Sequence, residues 1–366
     1  MDKINELKAI LGKNFAWNKA RLDCFVRMLL AMFKVRTVNL SEMAVAFSSE
    51  ASVDSRYKRL YRFFSQFKID YDDLAKWLFQ QFVLPEKFYL TIDRTNWFWG
   101  KGKINILTIG IAYEGVAIPI LWEALDKAGN ALASEHQAAL QRFVKLFGSG
   151  RIAGVLADRE FASGDLFKWC NEHKVPFYIR IKEDSNVKVG KKKICKAVDI
   201  FNDLSPNAGK HFGMTIDLYD QQVNLAGSRA ENGELMIVAT NQCPKNAIPI
   251  YLRRWEIETL FACLKGRGFR FEDTHLTKTE RIEKMMALLA VGFCWAHKTG
   301  EWCATTKPIK FKRFRNGIRP QHSLFRYGFN FIRDLLLNTA EHLTTLFTDC
   351  LNLLRDSLVI APQGVT

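Results

Sequence analysis

The chain has 366 residues, of which 48% are hydrophobic, and it carries a formal net charge of +15. This length and apolar content indicate a globular protein of two or three domains and exclude a disordered chain. The excess of basic residues predicts an anionic polymer as partner, with nucleic acid favoured over a membrane surface.

Cysteine and histidine spacing and the apolar runs exclude further classes. The eight cysteines form no CxxC pair and the seven histidines no HxxxH, which argues against a zinc site. The longest uncharged apolar run, 285–296, is too short to span a bilayer, and the first residues contain no signal-peptide core. We therefore expect a soluble protein in a reducing cytoplasm, with no membrane partner.

Residues 1–85 predict several short helices and form the first of three expected domains. Apolar residues recur at helical spacing over 22–33, and the stretch 55–67 interleaves four basic residues with aromatic ones. We interpret this region as an N-terminal helical DNA-binding domain. The alternative is a helical cap with a solvated charged face.

Residues 86–302 form the second expected domain, of α/β class. Three consecutive β-rich runs are followed by a helix, a strand, a helix and a strand, which predicts a mixed sheet covered by helices on both faces. This βββαβαβ order is the one found in ribonuclease-H-like folds. A β-rich insertion is expected at about 183–245. Its lysine-rich hairpin could clamp a phosphate backbone or be only a solvated edge.

Residues 303–366 form the third expected domain, a basic and helical C-terminal region. Between Lys307 and Arg319 there are six basic residues and no acid. In a chain of this charge, the run favours binding to backbone phosphates over a solvated linker.

Two aspartates lie at strand ends in the α/β domain. Asp93 lies in the first strand run, TIDRTNW, and Asp158 closes the apolar strand of VLADREF. Either one alone is as readily a turn or capping residue. The strand order places the two strands side by side in the sheet, so the pair predicts converging carboxylates, which are ligands for hard divalent cations.

The third acid is Glu258, in the stretch YLRRWEIETLFACLK. At about 100° per residue, Tyr251, Arg254, Glu258 and Lys265 fall within an arc of roughly 60° on one helix, beside an apolar flank. Glu256 points away and is expected to be a surface acid. Asp93, Asp158 and Glu258 are therefore the predicted catalytic and metal-binding triad. Three such carboxylates can hold two Mg²⁺ ions about 3.5–4 Å apart for phosphoryl transfer.

The stretch Tyr251–Lys265 also completes a family signature. Y-x2-R-x3-E-x6-K stands here as Tyr251, Arg254, Glu258 and Lys265, and the aspartates lie in IDRTNW and LADREF. On these motifs the chain resembles bacterial insertion-sequence DDE transposases of the insertion-sequence-four family, over roughly 88–302.

The resemblance implies a ribonuclease-H-like catalytic domain and a DNA transposase. Such an enzyme cleaves at the terminal inverted repeats of its element and joins the 3′-hydroxyl ends to target DNA, with two Mg²⁺ ions or Mn²⁺ as a substitute. It implies that Tyr251, Arg254 and Lys265 contact phosphates of double-stranded DNA. It also implies a homodimer on DNA and a nucleoid-associated place in the bacterial cytoplasm.

Two alternatives remain open. One is a catalytically inactive, transposase-derived DNA-binding repressor, against which the intact triad argues. The other is a host DNA endonuclease of the same fold, which would cut without terminal repeats.

Overall fold

The computed structural model describes residues 3–100, 102–126, 129, 132–190, 193–314, 317–338 and 342–355. The chain forms two compact units. We call them the helical unit (Met1–Val83, Trp97–Ile104 and Phe261–Thr366) and the sheet unit (Leu84–Asn96 and Asn105–Leu260). The division into three domains at residues 85 and 302 stays a prediction.

The described residues form these helices and strands. The helices are α1 (Lys3–Asn14), α2 (Lys19–Val35), α3 (Leu40–Ala46), α4 (Val53–Gln66), α5 (Tyr71–Gln80), α6 (Ala133–Phe147), α7 (Gly164–Glu172), α8 (Ala247–Leu252), α9 (Trp255–Leu264), α10 (Thr279–Thr306), α11 (Leu324–Leu337) and α12 (His342–Asn352). The strands are β1 (Phe88–Trp99), β2 (Gly102–Tyr113), β3 (Val116–Ala124), β4 (Ile152–Ala157), β5 (Phe177–Ile181), β6 (Asn186–Val189), β7 (Lys193–Lys196), β8 (Gly209–His211), β9 (Ile216–Leu218), β10 (Gln221–Arg229), β11 (Leu235–Thr240), β12 (Phe311–Phe314) and β13 (Gly317–Pro320).

A large mixed sheet carries the fold. Its order is β3-β2-β1-β4-β5-β11-β10-β9-β6-β7, with β8 paired to β10. Strands β1, β4 and β5 are parallel neighbours, whereas β2 and β3 pair antiparallel. The βββαβαβ order and the mixed α/β class expected from the sequence are confirmed. Strand β4 is almost wholly buried, as expected of an apolar strand that is covered on both faces.

The turn between β2 and β3 shows how local chemistry sets the register. Glu114 and Gly115 both have positive φ, 48° and 83°, and Tyr113 pairs directly with Val116. A two-residue turn with two left-handed residues matches the twist of the flanking strands. The predicted hairpin at these residues is confirmed.

The β-rich insertion extends the sheet instead of standing apart from it. Strand β11 pairs antiparallel with β5, with Ile237 opposite Ile181, and β10 pairs with β11. The lysine-rich hairpin predicted around Gly190 is formed by β6 and β7. The insertion therefore covers the edge that β5 would otherwise expose.

The helical unit is built around α10. Its Trp295 is fully buried and meets Phe33 of α2 edge-on, with ring centroids 5.3 Å apart. Phe33 also contacts Phe329 of α11, at 5.2 Å. No helix among the described residues is long and apolar enough to cross a membrane.

The stretch predicted as one helix from Tyr251 to Lys265 is two helices, and that expectation is wrong. Helix α8 ends at Leu252 and α9 begins at Trp255. Between them the amide of Arg253 donates to Ile250 and that of Arg254 to Tyr251, at 3.1 and 2.8 Å. These hydrogen bonds span three residues instead of the four of an α-helix, so the turn is tighter. The side chains that follow it therefore point in directions different from those in one continuous helix.

Candidate active site

Asp93 and Asp158 follow paired positions on two adjacent parallel strands. Ile92 of β1 is in register with Ala157 of β4, so the next residue of each strand is an aspartate. Asp158 also caps the short 3-10 turn after β4, because its Oδ1 accepts from the backbone amide of Arg159 at 2.8 Å. The capping interpretation of Asp158 is therefore confirmed, and its role as a site residue stays a prediction.

An ion pair joins the segments that carry the two aspartates. Arg94 donates through Nε to Glu160 Oε1 at 2.8 Å and through Nη2 to Oε2 at 2.6 Å. Its Nη1 donates to Asn105 Oδ1 at 3.0 Å. Arg94 follows Asp93 directly and Glu160 lies two residues after Asp158, so this bidentate pair holds the two strand ends together.

Sequence reasoning missed this pair. Its signal was present in IDRTNW and LADREF, since a basic residue, Arg94, follows the first aspartate and an acid, Glu160, lies two positions after the second. Opposite charges that lie just beyond the ends of two neighbouring strands are close enough to pair. Once β1 and β4 are predicted to be neighbours, the pair can therefore be predicted as well.

Arg254 connects the carboxylates of the predicted triad. Its Nη1 donates to Asp93 Oδ2 at 3.1 Å and its Nη2 to Glu258 Oε1 at 2.7 Å. Its Nε donates to the hydroxyl of Tyr251 at 3.2 Å, and that hydroxyl donates to Asp158 Oδ1 at 3.3 Å. One guanidinium thus reaches two acids directly and the third through a tyrosine. We call these five residues the Arg254 network.

Burial sets the electrostatics of the Arg254 network. Arg254 is 5% exposed and Tyr251 1%. Burial raises the pKa of Asp93 to about 6, although Arg254 acts in the opposite direction. Burial also raises the pKa of Tyr251 to about 12. Desolvation disfavours the Arg254 charge, but Tyr251 and the three carboxylates of the network together outweigh it and raise the pKa of the guanidinium. Arg254 is therefore the cation of this site.

Glu256 does not point into solvent, so the expectation of a surface acid is wrong. Only 12% of its side chain is exposed, and it accepts from Arg253 Nε at 3.0 Å. Burial raises the pKa of Glu256. The carboxylate pairs with Arg253, while Glu258 pairs with Arg254, so the two acids have different basic partners.

Lys265, the last signature residue, follows the end of α9 and belongs to the helical unit. Its Nζ lies 2.8 Å from Glu272 Oε1 and 4.9 Å from the ring centroid of Trp97. The lysine is thus held between a carboxylate and an aromatic ring of its own unit.

The residue types of the Arg254 network suit a divalent metal ion, but their arrangement in this structure does not. Carboxylate oxygens are the ligands that Mg²⁺ prefers, and the network supplies three carboxylates. Within the described residues, however, no group of three or more His, Cys, Asp or Glu side chains is placed to hold a metal ion. The guanidinium of Arg254 takes the position between Asp93 and Glu258. The residue types fit the metal, and the arrangement around Arg254 does not.

Comparison with known proteins gives two findings. The sequence profile of the family described as "Transposase DDE domain" matches residues 96–295. A solved structure, "Cryo-EM structure of piggyBac transposase synaptic complex with hairpin DNA (SNHP)", is similar with a TM-score of 0.47 and 11% identity, over 100% of this chain and 84% of that chain. No curated protein matches the sequence.

Proposed function

Because the chain belongs to the family of transposase DDE domains, we propose that it is an active transposase of the insertion-sequence-four group. It cleaves DNA at the terminal inverted repeats of its element and joins the 3′-hydroxyl ends to target DNA. The observation that carries the proposal is the Arg254 network, in which the acids Asp93, Asp158 and Glu258 are connected around one buried guanidinium.

The proposed catalytic residues are Asp93, Asp158 and Glu258, with Mg²⁺ as cofactor and Mn²⁺ as a substitute. Two such ions, when bound, supply activation of the attacking water or hydroxyl and stabilisation of the leaving oxygen. The protein must first open the contacts from Arg254 to Asp93 and Glu258, since the guanidinium and a divalent cation compete for the same oxygens. The metal-binding form of the site is therefore proposed to differ from the arrangement described above.

The phosphates of double-stranded DNA give Arg254 another partner. A planar guanidinium binds phosphate oxygens in the same two-pronged way as it binds carboxylates. We propose that Arg254, Tyr251 and Lys265 contact phosphates near the cleaved end, and that DNA holds two copies of the chain together. The formal net charge of +15 supports the approach of an anionic polymer.

A cleavage assay tests the assignment. The substrate is a supercoiled plasmid that carries the element ends, incubated with Mg²⁺. Asp93→Asn, Asp158→Asn and Glu258→Gln are each expected to abolish cleavage. Glu256→Gln is the matched control, because glutamine keeps the oxygen that accepts from Arg253; it should cleave as the wild type does. Unchanged cleavage by any triad variant would show that the residue is not catalytic.

The same assay, run on plasmids with and without the terminal repeats, separates the proposed function from its alternatives. A transposase should need the terminal repeats, whereas a host nuclease should cut a plasmid that lacks them. A repressor should bind the repeats and leave the plasmid intact.

A further inference from the structure

Arg36 and Arg326 lie against one aromatic ring in the helical unit. The guanidinium carbon of Arg36, the residue that ends α2, is 5.9 Å from the ring centroid of Phe329, and that of Arg326 in α11 is 5.7 Å from it. Phe329 is fully buried, whereas both arginines are partly exposed. Two cations therefore share one piece of apolar surface, and solvent reaches part of each.

Within the described residues, the side chains of Arg36 and Arg326 form no ion pair with an acid. Nε of Arg36 is buried and has no hydrogen-bond acceptor among those residues. Burial lowers the pKa of Arg326, and the nearby charge of Arg36 lowers it further. A buried donor without an acceptor and two neighbouring like charges both reduce stability. An anion bound between the two guanidinium groups would remove both effects.

Local helix geometry does not explain an arginine at either position. The C-terminal end of α2 attracts a cation, but Arg36 has a φ of 60°, in the left-handed region that favours glycine. Arg326 lies in the first turn of α11, which contains no acid. The free amides of a first turn favour an anion over a cation. Another residue type would be more stable at each position unless a ligand binds the two charges.

Arg267 supplies a third cation near Arg326. Burial raises the pKa of the Cys263 thiol to about 12, and the charges of Arg267 and Arg326 act in the opposite direction. Both arginines are thus close to the same buried thiol. Arg267 is exposed, so it is accessible to an anion that approaches from solvent.

From these contacts we infer that Arg36 and Arg326 form a binding site for a phosphate group. A guanidinium carries five N–H donors in a planar fork that matches phosphate oxygens. A phosphate that contacts both arginines gives Nε of Arg36 an acceptor and offsets the repulsion between the two charges. A phosphate of the DNA backbone and free inorganic phosphate share this chemistry. DNA as the source rests on the proposed function.

Thermal melting of the full-length chain in phosphate and in chloride of equal ionic strength tests the site. Exclusion of phosphate from the protein surface stabilises every variant alike, whereas bound phosphate stabilises only a chain that has the site. The double variant Arg36→Gln, Arg326→Gln should therefore gain a few degrees less from phosphate than the wild type does. Arg36→Gly should lose the same increment, and it should fold well because glycine suits the positive φ. An equal gain in all three proteins would overturn the inference.

The salt dependence of DNA binding identifies the source of the phosphate. The probe is a fluorescently labelled duplex of arbitrary sequence, followed by anisotropy from about 50 to 200 mM KCl, where each neutralised phosphate contributes about 0.9 to the slope of log K against log salt. Because the two arginines share one phosphate, the double variant should lose about 0.9 of the slope. A loss of about 1.8 would mean two separate contacts and overturn the shared site. An unchanged slope with a lost phosphate increment would support the site and assign it to free phosphate.

Arg151→Gln is the matched control. The guanidinium carbon of Arg151 also lies over a phenyl ring, 5.2 Å from the centroid of Phe88, but this arginine donates to the backbone carbonyls of Glu86 and Pro85. It should keep the wild-type phosphate increment and the wild-type slope. If it loses as much as the double variant does, any arginine on a ring would serve and the inference fails. Neither measurement uses plasmid cleavage, so this site and the proposed function fail separately.

Discussion

The ion pair between Arg94 and Glu160 should be a main determinant of the position of the two aspartates. The side chain of Arg94 is 7% exposed and that of Glu160 23%. Loss of one partner from a buried pair costs about 3–5 kcal/mol. Arg94 keeps Asn105 as an acceptor and Glu160 is partly solvated, so we expect Glu160→Ala to lower the free energy of unfolding by about 2–3 kcal/mol.

A double-mutant cycle measures the interaction itself. Urea unfolding of Arg94→Met, Glu160→Ala and the double variant should give a coupling energy of about 2 kcal/mol. The control is the pair of Arg180 and Glu234, whose carboxylate side chain is 58% exposed. Its coupling should stay below about 1 kcal/mol. A coupling below about 0.5 kcal/mol between Arg94 and Glu160 would refute the reasoning that this pair holds the strand ends together.

Three further predictions concern Arg254, the crossing of α10 and α11, and a buried histidine. Arg254→Gln should bind Mn²⁺ about tenfold more tightly without DNA, measured by electron paramagnetic resonance, because the competing guanidinium is gone. Gly300→Ala should lower the free energy of unfolding by about 3 kcal/mol or more in urea, because a Cβ there would collide with the carbonyl oxygen of Leu324. Burial lowers the pKa of His297 to about 4, so the folded chain keeps a neutral imidazole where the unfolded chain binds a proton. Stability should therefore fall as the pH drops from about 6.5 to 4, by about 3 kcal/mol in all.

Each of these three predictions has a control variant or a result that would contradict it. For the metal, weaker Mn²⁺ binding by Arg254→Gln than by the wild type would contradict competition. Gly150→Ala should be near neutral, because a Cβ there meets nothing within 4 Å. In His297→Gln the loss of stability that the histidine causes between about pH 6.5 and 4 should disappear. An unchanged pH profile would mean that Glu301, whose Oε1 lies 3.6 Å from Nε2 of His297, offsets the burial.

Local patterns in the sequence were enough to predict the order of the strands and helices around the two aspartates. Strand and helix periodicities predict the order βββαβαβ, from which β1 and β4 are expected to be neighbours, and the two strands do pair. Asp93 and Asp158 end up side by side because Ile92 and Ala157 are in register. The hairpin at Glu114 and Gly115 follows from turn chemistry in the same way.

The geometry around Glu258 was decided by tertiary structure. A uniform rotation of about 100° per residue predicts one helix, and the chain instead tightens at Arg253 and Arg254. Helical periodicity in the sequence does not reveal that break. A continuous helix and two helices joined by a tightened turn have the same residues at the same spacing. Glu256 pairs with Arg253, three positions before it, which helical spacing allows. The burial of its carboxylate depends on the tertiary packing around it, which a helical wheel does not include.

The sequence by itself determined which residues are available: three acids, the basic residues near them, and the strands and helices that carry them. Tertiary structure decided the partners. Arg254 reaches Asp93 from 161 positions away in the chain, and Arg94 reaches Glu160 from 66. Contacts at such separations depend on the register of a sheet and the place where a helix breaks, and small changes in either move a charged group by several ångströms. An ion pair depends on distances of that size. The sequence therefore shows which charged residues are present, whereas the fold determines which of them pair across such separations.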